Sequence, residues 1–158
     1  MPQKNVLLGL IALAVASSVY GEDIKKVLEQ PLVIPAPNVV VTSMVITFPP
    51  GDEGSAPHYH SGPVVGHVLK GSFLFQVGDE SPRIIPAGES FYEVDRITHV
   101  WFANASDNST CEILGTILGR PGKPIITFVD GVNRPSRAEA IELARAASKV
   151  NPSDCPAS

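Results

Sequence analysis

The chain has 158 residues with 44% hydrophobic content and a formal net charge of −4, enough to bury one core and about the size of one domain. No basic run is present, which excludes the electrostatic footprint of a nucleic-acid binder or of a protein drawn to an anionic membrane surface.

In chain order, the first feature is a targeting segment. Lys4 supplies a positive start, residues 6–16 are apolar, and residues 17–21 are mostly small. An apolar run of about a dozen residues is short of the ~20 needed to span a bilayer, so residues 1–21 are expected to be a signal peptide that is removed. The expectation is a secreted protein, extracellular or periplasmic, with no membrane attachment after cleavage.

After residue 22 a polar stretch leads to Pro31, Pro35 and Pro37, which forbid a long helix. Residues 38–48 are β-branched and aromatic and predict a strand, which the turn cluster 49–54 ends. A short strand is predicted from Pro57 to His60, and another over Val64–Lys70. Ser72–Val77, 83–85, 90–94, 99–103 and 111–118 follow as short strands separated by Gly, Pro, Asn and Asp turns. Strands at this spacing predict an all-β sandwich or barrel over 22–134. In the last part, 135–158, Ser136 and Glu139 form a capping box, and Ile141, Leu143, Ala144 and Ala147 give a thin apolar stripe. One helix over Arg137–Lys149 is expected to pack on the barrel, with no chemistry of its own.

Chemistry concentrates in the histidines. His58 and His60 are two apart at a strand start, so strand alternation sends both imidazoles to one face. His99 opens a later strand and is the third candidate ligand for one divalent transition metal ion, Fe, Mn, Ni, Cu or Zn. His67 depends on register: a strand registered on Val64 turns it outward, and one registered on Val65 turns it in as a fourth ligand or pocket donor. Glu93 and Gln76 are the strand residues placed to carry a proton or orient a substrate. Phe73, Phe75, Tyr92, Trp101 and Phe102 supply aromatic surface, some of which must face inward.

Two histidine-bearing segments resemble the motifs of the cupin superfamily. Gly51 to Gly71 is similar to G-x5-H-x-H-x3,4-E-x6-G, and Gly88 to Asn104 is similar to G-x5-P-x-G-x2-H-x3-N. The resemblance implies a jelly-roll (cupin) β-barrel of the quercetinase-like type, binding one metal and pairing into a homodimer. The departures are specific. Val64 stands where the family has its glutamate ligand, Val94 and Arg96 stand where the second motif has proline and glycine, and Asn104 comes one residue late. The direct reading is a three-histidine site with one negative charge fewer than the family's usual site.

By resemblance the activity is that of a metal-dependent enzyme on a small oxygenated or aromatic metabolite, through dioxygenase-type or Lewis-acid isomerase, cyclase or lyase chemistry. The alternatives are a non-enzymatic barrel that holds a small molecule or metal, and a structural barrel that has lost its metal. Two further features fit an exported chain. Asn104-Ala105-Ser106 and Asn108-Ser109-Thr110 are glycosylation acceptors, and Cys111 and Cys155 are the two cysteines that an oxidising compartment would let pair.

Overall fold

The computed structural model describes residues 25–31 and 38–149. The expected signal peptide, residues 1–21, and Cys155 of the expected Cys111–Cys155 pair lie outside the described residues. Cys111 itself is buried.

Among the described residues nine strands and one helix follow in order: β1 Val40–Phe48, β2 His58–His60, β3 Val64–Lys70, β4 Ser72–Val77, β5 Arg83–Pro86, β6 Ser90–Glu93, β7 His99–Asn104, β8 Cys111–Gly119, β9 Ile126–Phe128 and α1 Arg137–Lys149. They form two antiparallel sheets, β1-β8-β3-β6 and β5-β4-β7-β2-β9. The inner faces of the two sheets enclose the core of a jelly-roll barrel. Period-two alternation builds that core. On β3, Val64, Gly66 and Val68 are buried while Val65 and His67 are half-buried, and the inner faces contribute Phe48, Phe73, Phe75, Phe91 and Ile113.

One feature of β7 breaks simple alternation. Trp101 pairs with Gln76 and His99 pairs with Val77, which leaves Val100 as an extra residue on β7. This bulge resets the parity of the strand. It lets His99 face the interior along with Phe102, three residues away, and the one-residue insertion matches the late position of Asn104 in the motif.

The outer face of the same sheet carries a second core. Leu74, Val100, Trp101 and Ala103 pack with Ala140 and Ile141 of α1. The capping box forms as expected, with the Ser136 amide and hydroxyl donating to Glu139 Oε2 at 2.8 and 2.7 Å. The helix seats Ala140, Ile141 and Ala144, whereas Leu143 of the expected stripe is 53% exposed. Arg137 anchors its first turn, donating from Nε to the Asn104 carbonyl at 2.8 Å and pairing with Asp107 at 2.7 Å.

Two sequence expectations need correction. The chain between β8 and α1 contains β9, which the sequence reading passed over. Asn104 is fully buried, and its Nδ2 donates to the carbonyls of Phe48, Pro49 and Ser109. It is therefore closed to glycosylation in the folded chain, while Asn108 is exposed.

Candidate metal centre

His58, His60 and His99 meet at the barrel interior, their donor atoms all within 4.8 Å of one another. Strand pairing makes this happen. His58 lies directly across from His99 on β7, and His60 follows two residues on with the same orientation. All three are at least 93% buried, with 1%, 7% and 1% of their surface exposed. The rings of His58 and His99 stack at 4.8 Å, and His60 stands edge-on to both.

Backbone carbonyls fix two of the rings. His58 Nδ1 is 2.8 Å from the Ala56 carbonyl, and His60 Nδ1 is 2.8 Å from the Ile125 carbonyl. A carbonyl only accepts, so each Nδ1 carries the proton and each Nε2 offers a lone pair. His58 Nε2 is buried with no hydrogen-bond partner. A lone pair aimed into such a cluster fits a metal ion.

Glu93 enters from β6. Its carboxylate is 2% exposed, with Oε2 2.7 Å from His99 Nε2 and 3.7 Å from His60 Nε2. Burial raises the Glu93 pKa to about 8 and lowers that of His99 to about 4. Burial also lowers His58 and His60, against the opposing pull of their carbonyl partners. Without a metal the close Glu93–His99 contact is thus a hydrogen bond between two neutral groups and not an ion pair. Neutral imidazoles are the form that binds metal.

His58 and His60 of the cluster, together with Glu93, line one wall of a cavity of about 260 Å3. Besides His58, His60, Glu93 and Ser55, its lining is apolar and includes Met44, Ile46, Phe91, Phe102, Ile113 and Ile117. The turn leading to His99 is held by Arg120, which makes a two-pronged pair with Asp95 at 2.8 and 2.6 Å and donates to the Ser61 carbonyl. Arg96 in this turn has a left-handed backbone, φ 59°. That conformation accounts for a glycine at this point of the family motif.

The remaining sequence candidates lie elsewhere. His67 is on the outer face of β3, its Nδ1 2.9 Å from Ser90 Oγ; the strand is registered on Val64, and the fourth-ligand alternative does not arise. Gln76 shares the outer face of β4 with Leu74 and donates to the Glu80 carbonyl at 2.9 Å, so it does not reach the cavity. Of the aromatics, Phe73, Phe75 and Phe102 point inward, whereas Trp101 is buried beneath α1 with Arg134 stacked 4.0 Å from its ring centre. Sequence reasoning missed Ile125 and Ile126, which line the cavity. The β-branched run from Ile125 to Thr127 was the available signal.

The cupin domain family matches residues 44–117, both histidine segments included. The chain belongs to the cupin superfamily. Among solved structures this cupin is similar to a cupin-like protein from Thermotoga maritima, at 19% identity and TM-score 0.51, covering 70% of this chain and 75% of that one. It is also similar to the DMSP lyase DddQ from Ruegeria pomeroyi, at 15% identity and TM-score 0.50, covering 60% of this chain but 45% of the lyase. At these identities the likeness is one of fold. A search of curated protein sequences finds no match.

Proposed function

We propose that this cupin is an exported metal-dependent protein that acts on a small, largely apolar molecule bearing oxygen donors, bound in the barrel beside a divalent metal. The observation that carries the reading is the convergence of three buried imidazoles, two of which have Nδ1 tied to backbone carbonyls and line an apolar cavity. His58, His60 and His99 would hold the ion, and its chemistry when bound is that of a Lewis acid or, for iron or copper, of dioxygen activation.

The residues of the chain supply the rest. The Ala56 and Ile125 carbonyls hold the ligand rings in one tautomer. Met44, Ile46, Ile113 and Ile117 enclose the substrate's apolar part and exclude water. Ser55, at the cavity wall, is placed to hydrogen-bond a substrate oxygen. A cavity of about 260 Å3 is just below the usual range for small-molecule sites, which begins near ~300 Å3, so the reading favours compact substrates of one ring.

The test is turnover by protein loaded separately with iron, manganese, nickel, copper or zinc. Oxygen consumption and product analysis against catechols, β-diketones and flavonoids should show conversion of a compact compound, lost in His58→Ala and His99→Ala and kept in His67→Ala. Binding without conversion by every metal form would move the assignment to a non-enzymatic small-molecule carrier. Mass spectrometry of protein recovered from the medium or periplasm tests export, for which a mature chain starting near residue 22 is expected. An intact Met1 would contradict it.

A further inference from the structure

The family's carboxylate position falls on Val64, and the strand pairing shows what stands beside it. Val64 on β3 is the direct antiparallel partner of Glu93 on β6. Directly opposed residues share a face, with Cβ atoms about 5 Å apart. Both line the cavity at the histidine cluster. A carboxylate missing from one strand is therefore present on its neighbour.

The position of Glu93 relative to the imidazoles is that of a ligand. Two donors each ~2.1 Å from one ion are roughly 3.0 Å apart at a right angle and at most ~4.2 Å apart when opposed. Glu93 Oε2 lies 2.7 and 3.7 Å from the Nε2 atoms of His99 and His60, so it brackets the same centre as they do. Among the described residues, Glu93 Oε1 is buried without a hydrogen-bond partner and no Lys or Arg pairs with this carboxylate. A carboxylate with 2% exposure and no fixed cation is costly to bury unless an ion meets it.

We propose that Glu93 is the fourth protein ligand of the metal, a carboxylate carried one strand over from the family's position at Val64 to β6. The inference rests on the three-histidine metal reading. It restores to the site the negative charge that Val64 removes from it. The competing arrangement has Glu93 accept a hydrogen bond from His99 Nε2 while His99 binds through Nδ1, which is also buried and unpartnered. The amide oxygen of glutamine would serve that arrangement almost as well as a carboxylate, but would be a far weaker metal ligand.

The experiment is competition titration of Co2+ and Mn2+ into metal-free wild type, Glu93→Gln and the exchanged double variant Val64→Glu/Glu93→Val, with the cobalt absorption spectrum recorded for each. Circular dichroism checks that each is folded. Glu93→Gln should bind about 100-fold more weakly with an altered cobalt spectrum. The double variant should recover affinity to within about tenfold of wild type, because its carboxylate approaches the same centre from the paired position. An affinity within about threefold of wild type and an unchanged spectrum for Glu93→Gln would overturn the assignment while leaving the three-histidine site intact. A wild type that binds neither ion would instead refute the metal reading itself.

Discussion

With the metal removed, the protein should lose stability relative to its Glu93→Gln variant as pH rises from 6.5 to 8. In the unfolded chain the Glu93 carboxyl ionises near its ordinary value of 4.5, whereas burial holds it protonated in the fold up to about 8. The folded state therefore holds one more proton on Glu93 across that interval, and this residue's contribution to stability declines with pH. At ~1.36 kcal/mol per pH unit, Glu93 alone costs about 2 kcal/mol over the 6.5–8 window, or roughly 5–10 °C in Tm for a domain of this size. The histidines act in the opposite direction. Burial holds their folded values below the ordinary 6.5, so the unfolded chain still binds protons on them around pH 6.5. Their contribution is lost as pH falls and becomes complete only about one pH unit above 6.5, offsetting up to about 1 kcal/mol of the Glu93 effect. Cys111, raised from 9.0 to about 11, acts above pH 9. Metal-free protein should thus be most stable near pH 7. Urea unfolding in chelator at pH 6.5, 7.2 and 8.0 of wild type and Glu93→Gln isolates the Glu93 effect, because the histidines are common to both, and the difference should shift by about 2 kcal/mol in the variant's favour. A difference that does not change with pH would refute this account of the buried pair.

Two glycines on the inner barrel faces should respond in opposite ways. At Gly66 an added Cβ would lie 2.0 Å from the Phe91 ring, which is itself packed against Phe73 and Phe75 at 5.2 and 5.0 Å. Gly66→Ala should cost about 2 kcal/mol or more in urea unfolding, and an unchanged midpoint would show that the ring can move freely. At Gly115 an added Cβ meets nothing within 4 Å, and the position opens on the cavity. Gly115→Val should keep stability within ~1 kcal/mol and leave metal content unchanged. It should weaken binding of a three-ring flavonoid more than that of catechol by at least tenfold, and equal effects on both would remove Gly115 from the cavity's size limit.

Most of the strand order was legible because turn residues punctuate the sequence. Gly71, Gly78 and Gly88 all adopt positive φ, and β3, β4 and α1 begin and end where hydrophobic patterning stops. The His58/His60 pair was legible from spacing alone. The inward turn of both His99 and Phe102 was not, because it depends on a bulge at Val100 visible only in the pairing with β4. Nor was the relation of Val64 to Glu93, twenty-nine residues apart in sequence and opposite each other in the sheet. Local patterning carries faces and turns; it does not carry which strands become neighbours. The three-residue β9 carries only the short β-branched run from Ile125 to Thr127 as its local mark, and its pairing with β2, which brings Ile126 to the cavity beside Ile125, has no mark in the sequence.

The central claim is that His58, His60 and His99 hold a metal ion, and the most direct measurement is elemental analysis of the purified mature protein with each of these histidines intact or replaced by alanine. About one equivalent of a divalent transition metal per chain is expected for wild type and for His67→Ala, with loss in each of the three variants. Folded wild type that retains no metal after exposure to iron, manganese, nickel, copper and zinc at neutral pH and removal of the unbound ion would contradict it.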